Sequence, residues 1–206
     1  MNSTWDNVEH FEQLIANYAG SKYAIATDSC SNAIFLSLKY IQMRQPHGVV
    51  EVPKYTYPSV PMAVKHAGFE VKFVHKKWHG IYQLSPFSVY DGAVMFTKDM
   101  YAGGFHCLSF HIKKHIPIGR GGMILTDNKK AAQWLKCARY DGRPSPFWKD
   151  VKDIQFCGWH MYMTPDQAVK GIELFHRLPD NNNNLANWDD YSVDLSQLKA
   201  FDSSND

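Results

Sequence analysis

The sequence lacks an excess of charge of either sign. Its 206 residues include 22 lysines and arginines against 20 aspartates and glutamates, so the formal net charge at pH 7 is only +2. A protein that binds nucleic acid through a broad basic surface normally carries a clear positive excess. Hydrophobic residues make up 45% of the chain, which is typical of a folded globular protein and not of a disordered one. We therefore expect about one folded domain with no nucleic-acid partner.

Cysteine is scarce, and long apolar runs are absent. The four cysteines, Cys30, Cys107, Cys137 and Cys157, form no CxxC pair, so the sequence indicates neither a metal site nor a disulfide framework. Scattered cysteines of this kind are typical of a reducing compartment. No apolar run reaches the length of a membrane span, and the first ten residues are polar and acidic. These absences predict a soluble, cytoplasmic protein with no membrane partner.

Strand-like and helix-like segments alternate along the chain. Helical patterns are found at 5–18, 32–43, 59–66, 129–139 and 164–177, and β-rich runs at 22–27, 49–52, 70–74, 88–90, 106–110 and 122–126. Thr164, Pro165 and Gln167 are a strong helix start, because they supply an N-cap, a proline in the first turn and a capping box. The alternation predicts an α/β fold with three α/β/α layers and a mostly parallel central sheet.

Four polar clusters follow predicted strands, at the edge where open α/β sheets bind ligands. The first, residues 28–32, leads into a helix whose free N–H groups suit a phosphate, although Ser31 or Asp28 could simply cap that helix. The second contains Tyr57, whose ring could stack on a flat ligand or serve only in packing. The third ends in Asp91, which could hold a cationic ring or form a turn.

The fourth cluster, residues 107–126, is the richest. Lys113 and Lys114 follow a predicted buried strand and precede a glycine-rich return into the next strand. Most lysine pairs belong to solvated loops. A lysine that is partly desolvated between buried strands can instead act as a nucleophilic amine that forms a Schiff base.

Taken in this order, the clusters resemble the sugar aminotransferases of the DegT/DnrJ/EryC1/StrS family, fold type I enzymes that depend on pyridoxal phosphate. The likeness spans roughly residues 11–177. It implies an aspartate aminotransferase-like large domain that binds the cofactor over residues 1–180. Residues 181–206 would then be a short C-terminal extension in place of the family's small domain.

The resemblance also implies roles for individual residues. The family pattern of Ser-Phe, three variable residues and Lys falls on Ser109, Phe110 and Lys114. It makes Lys114 the catalytic lysine that forms the Schiff base, with Lys113 as the neighbour to test against it, and it makes Ser109 a phosphate ligand. The remaining cofactor-binding residues that it implies are Asp91 for the pyridine nitrogen, Tyr57 for stacking, and Cys30 with Ser31 for the phosphate.

The segment 158–164 resembles a family loop that reaches into the active site of the partner subunit. This likeness adds His160 to the cofactor-binding residues and implies a homodimer with shared active sites. The family's Gln or His three residues after the pyridine-binding Asp is replaced by Val94, and an arginine of the loop is replaced by Tyr162. Each replacement weakens a contact to cofactor or substrate that family members make.

The reaction that the resemblance implies is a ping-pong transamination in polysaccharide biosynthesis. An amino donor, expected to be glutamate, passes its amino group to a nucleotide-linked keto-sugar, and Lys114 moves protons as general acid and base. Two alternatives stay open. One is a non-catalytic remnant of the fold that acts as a binding or regulatory partner. The other is a sugar dehydratase, since some relatives replace the lysine with histidine and His115 lies next to Lys114.

Overall fold

Helices and strands alternate over residues 4–147, 152–179 and 182–201, which a computed structural model describes. The helices are α1 (Asp6–Ala19), α2 (Cys30–Gln42), α3 (Ser59–His66), α4 (Lys129–Ala138) and α5 (Pro165–Phe175). The strands are β1 (Tyr23–Thr27), β2 (Val49–Pro53), β3 (Glu70–Val74), β4 (Tyr82–Gln83), β5 (Val89–Asp91), β6 (Phe105–Ser109) and β7 (Gly122–Thr126). Within these ranges no helix is both long enough and apolar enough to cross a bilayer.

Helix boundaries follow local sequence signals. Helix α1 ends at Gly20, whose φ of 84° is favourable only for glycine and whose N–H donates to Ala16 O at 2.9 Å. Helix α5 begins with the predicted capping box: Gln167 N–H donates to Thr164 Oγ1, and Thr164 N–H donates to Gln167 Oε1. The predicted domain boundary at residues 180 and 181 lies outside the described residues, so that division of the chain stays a prediction.

The central sheet is mixed. Its strand order is β1-β7-β6-β5-β4, while β2 and β3 form a separate parallel pair. Strand β7 runs antiparallel to both β1 and β6, β4 runs antiparallel to β5, and β5 with β6 is the parallel pair of the larger sheet. The α/β class is confirmed, but the expectation of a mostly parallel sheet was wrong. Three of the four strand pairs in this sheet are antiparallel, and residues 110–121 join β6 to its antiparallel neighbour β7 without a helix.

Apolar side chains cover both faces of this sheet. Along β7, Met123 and Leu125 point into the core formed with Phe11 of α1, whereas Ile124 points into the core formed with Ile34 of α2. All five are almost completely buried. Since successive side chains of a strand point to opposite faces, one strand serves two cores and the three predicted layers result.

A buried ion pair closes the outer edge of β1. The carboxylate of Glu12 accepts the backbone N–H of Ala26 at 2.8 Å, and the guanidinium of Arg139 donates to both Glu12 and the carbonyl oxygen of Ala26. Both charged side chains are only 4% exposed. The pair therefore satisfies backbone groups that an edge strand leaves free, and it ties α1, β1 and the end of α4 together.

We expect the substitution Glu12→Gln to lower the free energy of unfolding by about 3–5 kcal/mol, because it removes the negative charge that balances the buried Arg139. Urea denaturation followed by tryptophan fluorescence measures this loss. The matched control is Glu51→Gln, which breaks an exposed pair with Lys72 at 2.9 Å and should cost less than about 1 kcal/mol. Equal losses in the two variants would contradict a structural role for the buried pair.

Candidate functional site

A cavity of about 460 Å³ opens at the edge of the sheet where β1, β5 and β6 end. These three strands point the same way, because β7 lies antiparallel between β1 and β6 and β5 is parallel to β6. Residues far apart in sequence therefore meet at one edge. Six of the seven predicted site residues line this cavity: Cys30, Ser31, Tyr57, Asp91, Ser109 and Lys114.

The start of α2 forms one wall of the cavity. Ser29, and not Ser31 or Asp28, is its N-cap, since Ser29 Oγ accepts the N–H of Asn32 at 3.2 Å. In the described part of the chain, the backbone N–H groups of Cys30 and Ser31 have no hydrogen-bond acceptor. Together with the helix dipole, these free donors favour an anion at this end of α2.

Gly122 makes this arrangement possible. It opens β7 directly behind the turn into α2, and a Cβ at this position would lie 2.4–2.6 Å from backbone atoms of Ser29 and Cys30. No side chain fits in that space without displacing the turn. The packing of β7 against the turn therefore depends on glycine at position 122.

Hydroxyl groups extend the polar wall. Ser31 Oγ lies 2.6 Å from Ser59 Oγ, at the first residue of α3, and Ser109 lines the cavity at the end of β6. Arg120 lies at the exposed rim and forms an ion pair with Asp28 at 2.7 Å. The sequence did not single out Ser59 or Arg120, because each becomes a site residue only through the pairing of distant segments.

Asp91 is a buried carboxylate, 5% exposed, at the end of β5. Its Oδ2 accepts a hydrogen bond from the Tyr82 hydroxyl at 2.6 Å, and its Oδ1 accepts one from the N–H of Ala93 at 2.9 Å. Burial raises the pKa of Asp91, while these two hydrogen bonds and the positive charge of Lys114 lower it in part. The cavity thus contains a carboxylate that is well supplied with hydrogen-bond donors.

Lys114 is half-buried in the loop after β6, where its backbone N–H donates to His111 O at 2.9 Å. Among the residues that the structure describes, its Nζ has no hydrogen-bond or ion-pair partner. Burial lowers the pKa of Lys114, and the negative charge of Asp91 opposes that effect. A lowered pKa increases the neutral, nucleophilic fraction of the amine. Lys113 also lines the cavity but is exposed.

Aromatic side chains line the rest of the cavity. Tyr57, which is 60% exposed, lines the cavity after β2. Tyr191 lines it from the C-terminal segment, residues 182–201. The ring of Tyr191 lies 5.6 Å from that of Trp78, and burial followed by the charge of Asp91 raises the pKa of Tyr191 to about 12. The sequence did not single out Tyr191, because it lies in a polar segment without a recognisable motif.

His160 is the predicted site residue that the structure does not bring to this cavity. The Nδ1 atom of its exposed ring lies 3.2 Å from Asp141 Oδ2. The ring also contacts that of Tyr162 edge-on, with 4.7 Å between the ring centroids. His115, next to Lys114, lies 2.9 Å through Nε2 from Asn183 O. The predicted role of His160 concerned the active site of a partner subunit, so it stays a prediction.

The residues present fit pyridoxal phosphate. Free N–H groups and hydroxyls suit its phosphate, the buried Asp91 suits its ring nitrogen, and the unpartnered Lys114 amine suits its aldehyde carbon. Over the described ranges, no group of three or more His, Cys, Asp or Glu side chains is placed to hold a metal ion.

Solved structures confirm the fold. NtdA from Bacillus subtilis, with bound cofactor PMP, superposes with a TM-score of 0.67 at 20% identity, over 82% of this chain and 47% of that one. A GDP-4-keto-6-deoxymannose-3-dehydratase with a trapped PLP-glutamate geminal diamine gives a TM-score of 0.69 at 18% identity, over 84% of this chain and 61% of that one. These likenesses confirm the aspartate aminotransferase-like class.

Sequence comparison gives the family. An uncharacterized protein of Methanocaldococcus jannaschii is 26% identical over 79% of this chain and 55% of its own length. The spore coat polysaccharide biosynthesis protein SpsC of Bacillus subtilis is 22% identical over 84% of this chain and 57% of its own length. This chain therefore spans little more than half of these relatives. The family model matches residues 2–89 and 92–205, and the chain belongs to the DegT/DnrJ/EryC1/StrS aminotransferase family.

Proposed function

We propose that this protein is a pyridoxal phosphate-dependent aminotransferase that passes an amino group from glutamate to a nucleotide-linked keto-sugar. One observation carries the proposal: the unpartnered amine of Lys114 shares a cavity with the buried carboxylate of Asp91 and the free N–H groups at the start of α2. Each of these groups matches one part of the cofactor. The family to which the chain belongs is one of aminotransferases, which supports the reaction type.

Each residue then has a chemical task. Cys30 and Ser31 bind the phosphate through backbone N–H groups and a hydroxyl, and Ser109 adds a second hydroxyl. Asp91 would accept a hydrogen bond from the ring nitrogen and keep that nitrogen protonated. Tyr57 would stack on the ring. When bound, pyridoxal phosphate supplies an electron sink that stabilises negative charge on the carbon next to the amino group.

Lys114 has two tasks. Its Nζ would hold the cofactor through the aldehyde carbon, with release of water, and the lowered pKa of the buried amine is favourable for this. As a free amine, Nζ would accept a proton from the α-carbon of the amino donor and return it later in the cycle. A base with a lowered pKa is better matched to proton transfer near neutral pH than an ordinary lysine.

The sugar substrate and the dimer are the finer parts of the proposal. Lys113, His111 and Arg120 place polar and cationic side chains at the mouth of the cavity, which favours the diphosphate of a nucleotide sugar. SpsC is named for polysaccharide biosynthesis, which agrees with such a substrate. We further propose a homodimer in which the loop 158–164 reaches the second copy's active site and places His160 there.

The experiments below distinguish the aminotransferase from two alternative functions. A dehydratase is favoured by the structural likeness to GDP-4-keto-6-deoxymannose-3-dehydratase. Against it, Lys114 lines the cavity, whereas His115 is bonded to Asn183 O. A non-catalytic remnant is favoured by the apolar Val94 in the cavity wall.

We expect the wild-type protein and Lys113→Ala to develop, with pyridoxal phosphate, an absorption band distinct from that of the free cofactor. Lys114→Ala should lose this band, because the amine that attaches the cofactor is gone. Borohydride reduction followed by peptide mass spectrometry should locate the modification at Lys114. A band that persists in Lys114→Ala and vanishes in Lys113→Ala would overturn the assignment.

The attachment should also depend on pH in a defined direction. The neutral amine is the reactive form, and burial lowers the pKa of Lys114. The rate of band formation should therefore reach half its maximum at a lower pH than the reaction of Nα-acetyl-lysine with the same cofactor. Stopped-flow absorbance over a pH series measures both midpoints. A midpoint equal to or above that of the free lysine would contradict a desolvated Lys114.

Glutamate should discharge the band of the loaded wild-type protein and release 2-oxoglutarate. Asp91→Asn should slow this half-reaction about 100-fold or more, because an amide cannot balance a protonated ring nitrogen. With ¹⁵N-glutamate and a panel of nucleotide keto-sugars, ¹⁵N in the sugar product supports the aminotransferase. Loss of a sugar hydroxyl without nitrogen gain indicates the dehydratase, and a band that glutamate never discharges indicates the remnant.

A further inference from the structure

Tyr82 lies directly opposite Asp91 in the central sheet. Strand β4 has only two residues, and its pairing with β5 is antiparallel with Tyr82 opposite Asp91. Directly opposed residues of an antiparallel pair point to the same face. The Tyr82 hydroxyl consequently reaches the Asp91 carboxylate and donates to Oδ2 at 2.6 Å. Tyr82 is only 4% exposed, so this hydrogen bond is shielded from water.

A second hydroxyl supports the first. Thr56 Oγ1 lies 2.6 Å from the hydroxyl oxygen of Tyr82. A tyrosine has one hydroxyl proton, and an ionised carboxylate can only accept. Because the hydroxyl proton of Tyr82 is used in the hydrogen bond to Asp91, Thr56 must donate the hydrogen bond to Tyr82. The two hydrogen bonds therefore run in one direction, from Thr56 to Tyr82 to Asp91, and each strengthens the other by polarisation.

Packing holds the Tyr82 ring in this position. The ring of Trp78 lies 4.9 Å from it at an angle of 46°. The indole Nε1 of Trp78 donates to Tyr55 O at 3.0 Å, one residue before Thr56. Two neighbouring residues therefore position Tyr82. Thr56 forms a hydrogen bond with its hydroxyl, and Tyr55 O holds the indole of Trp78, which packs against its ring.

We propose that Tyr82 is a positioning residue, whose hydroxyl fixes the Asp91 carboxylate and keeps it ionised so that it can hold a protonated ring nitrogen. This inference rests on the proposed function, in which Asp91 faces the nitrogen of pyridoxal phosphate. Burial alone favours the neutral acid, which is a poor partner for a ring proton. Tyr82 on Oδ2 and the Ala93 N–H on Oδ1 oppose this effect, with one hydrogen bond to each carboxylate oxygen.

Other groups near Asp91 do not take over this role. The titratable groups that face it are Tyr82 on β4, Cys30 on α2, Cys107 on β6, Lys114 after β6 and Tyr191 in the C-terminal segment. Cys30 Sγ lies 3.9 Å from Oδ1, and burial raises the pKa of its thiol, so it is a weak neutral donor. Burial also raises the pKa of the Tyr82 hydroxyl, which therefore keeps its proton to donate.

The first test uses the cofactor-free protein. Aspartate labelled with ¹³C at the side-chain carboxyl reports the titration midpoint of Asp91 by NMR, with Asp91→Asn identifying the signal. Tyr82→Phe keeps the ring and should raise the midpoint by about 1–2 pH units, because a hydrogen bond to the charged form is lost. Thr56→Val should raise it by less, and Thr56→Ser should leave it unchanged. Tyr40→Phe removes a buried hydroxyl outside the cavity and is the matched control.

The second test titrates the same variants with pyridoxal phosphate. Tyr82→Phe should weaken binding by about 10-fold or more, Thr56→Val by less, and Tyr40→Phe should not change it. An unchanged NMR midpoint in Tyr82→Phe overturns the proposal. A raised midpoint with unchanged cofactor affinity overturns the positioning role while leaving the proposed function intact. A wild-type protein that binds no pyridoxal phosphate overturns the proposed function, and the role of Tyr82 with it.

Discussion

The buried ion pair between Glu12 and Arg139 is the contact on which the geometry of the site depends. It occupies the backbone groups of Ala26 on the free side of β1, so no further strand can pair there. Just beyond, the N–H of Asp28 donates to Met161 O at 3.0 Å, and Met161 N–H donates to Arg139 O at 3.0 Å. The end of β1 is thereby held from both sides, and the turn into α2 starts from a fixed point.

Close backbone packing and burial then determine the shape of the cavity and the charges of the groups that line it. Gly122 lets β7 pack on the turn into α2, which aims the free N–H groups of Cys30 and Ser31 at the cavity. Burial then acts on the two ionisable groups in opposite directions, raising the pKa of Asp91 and lowering that of Lys114. Burial favours the neutral form of each group. The attraction between their charges opposes this effect at both groups, and the local hydrogen bonds oppose it at Asp91. Perturbed pKa values of this kind are typical of functional sites.

Local signals explain what the sequence could predict. Helix α3 and strands β3 and β7 have the predicted bounds, because their apolar spacing and bordering residues act within a few positions. Asp91 is a different case, since it lies between the two segments that match the family model. Its place in the site is supported by its position at the end of β5 and by burial. Strand direction was mispredicted, because it depends on which strands pair in the folded sheet, and residue spacing does not show that pairing.

The sequence by itself determined the α/β alternation, the end of α1 at Gly20, the start of α5 at Thr164, and the family to which the chain belongs. These properties depend on neighbouring residues or on motifs kept in order along the chain. Only the tertiary structure decided that Ser59, Tyr82 and Tyr191 join the cavity, and that His160 does not join it within its own chain. Tyr82 lies on a strand of two residues, too short to show any periodicity. Its hydrogen bond to Asp91 exists because strand pairing places them face to face, and a pairing register is a property of the folded sheet.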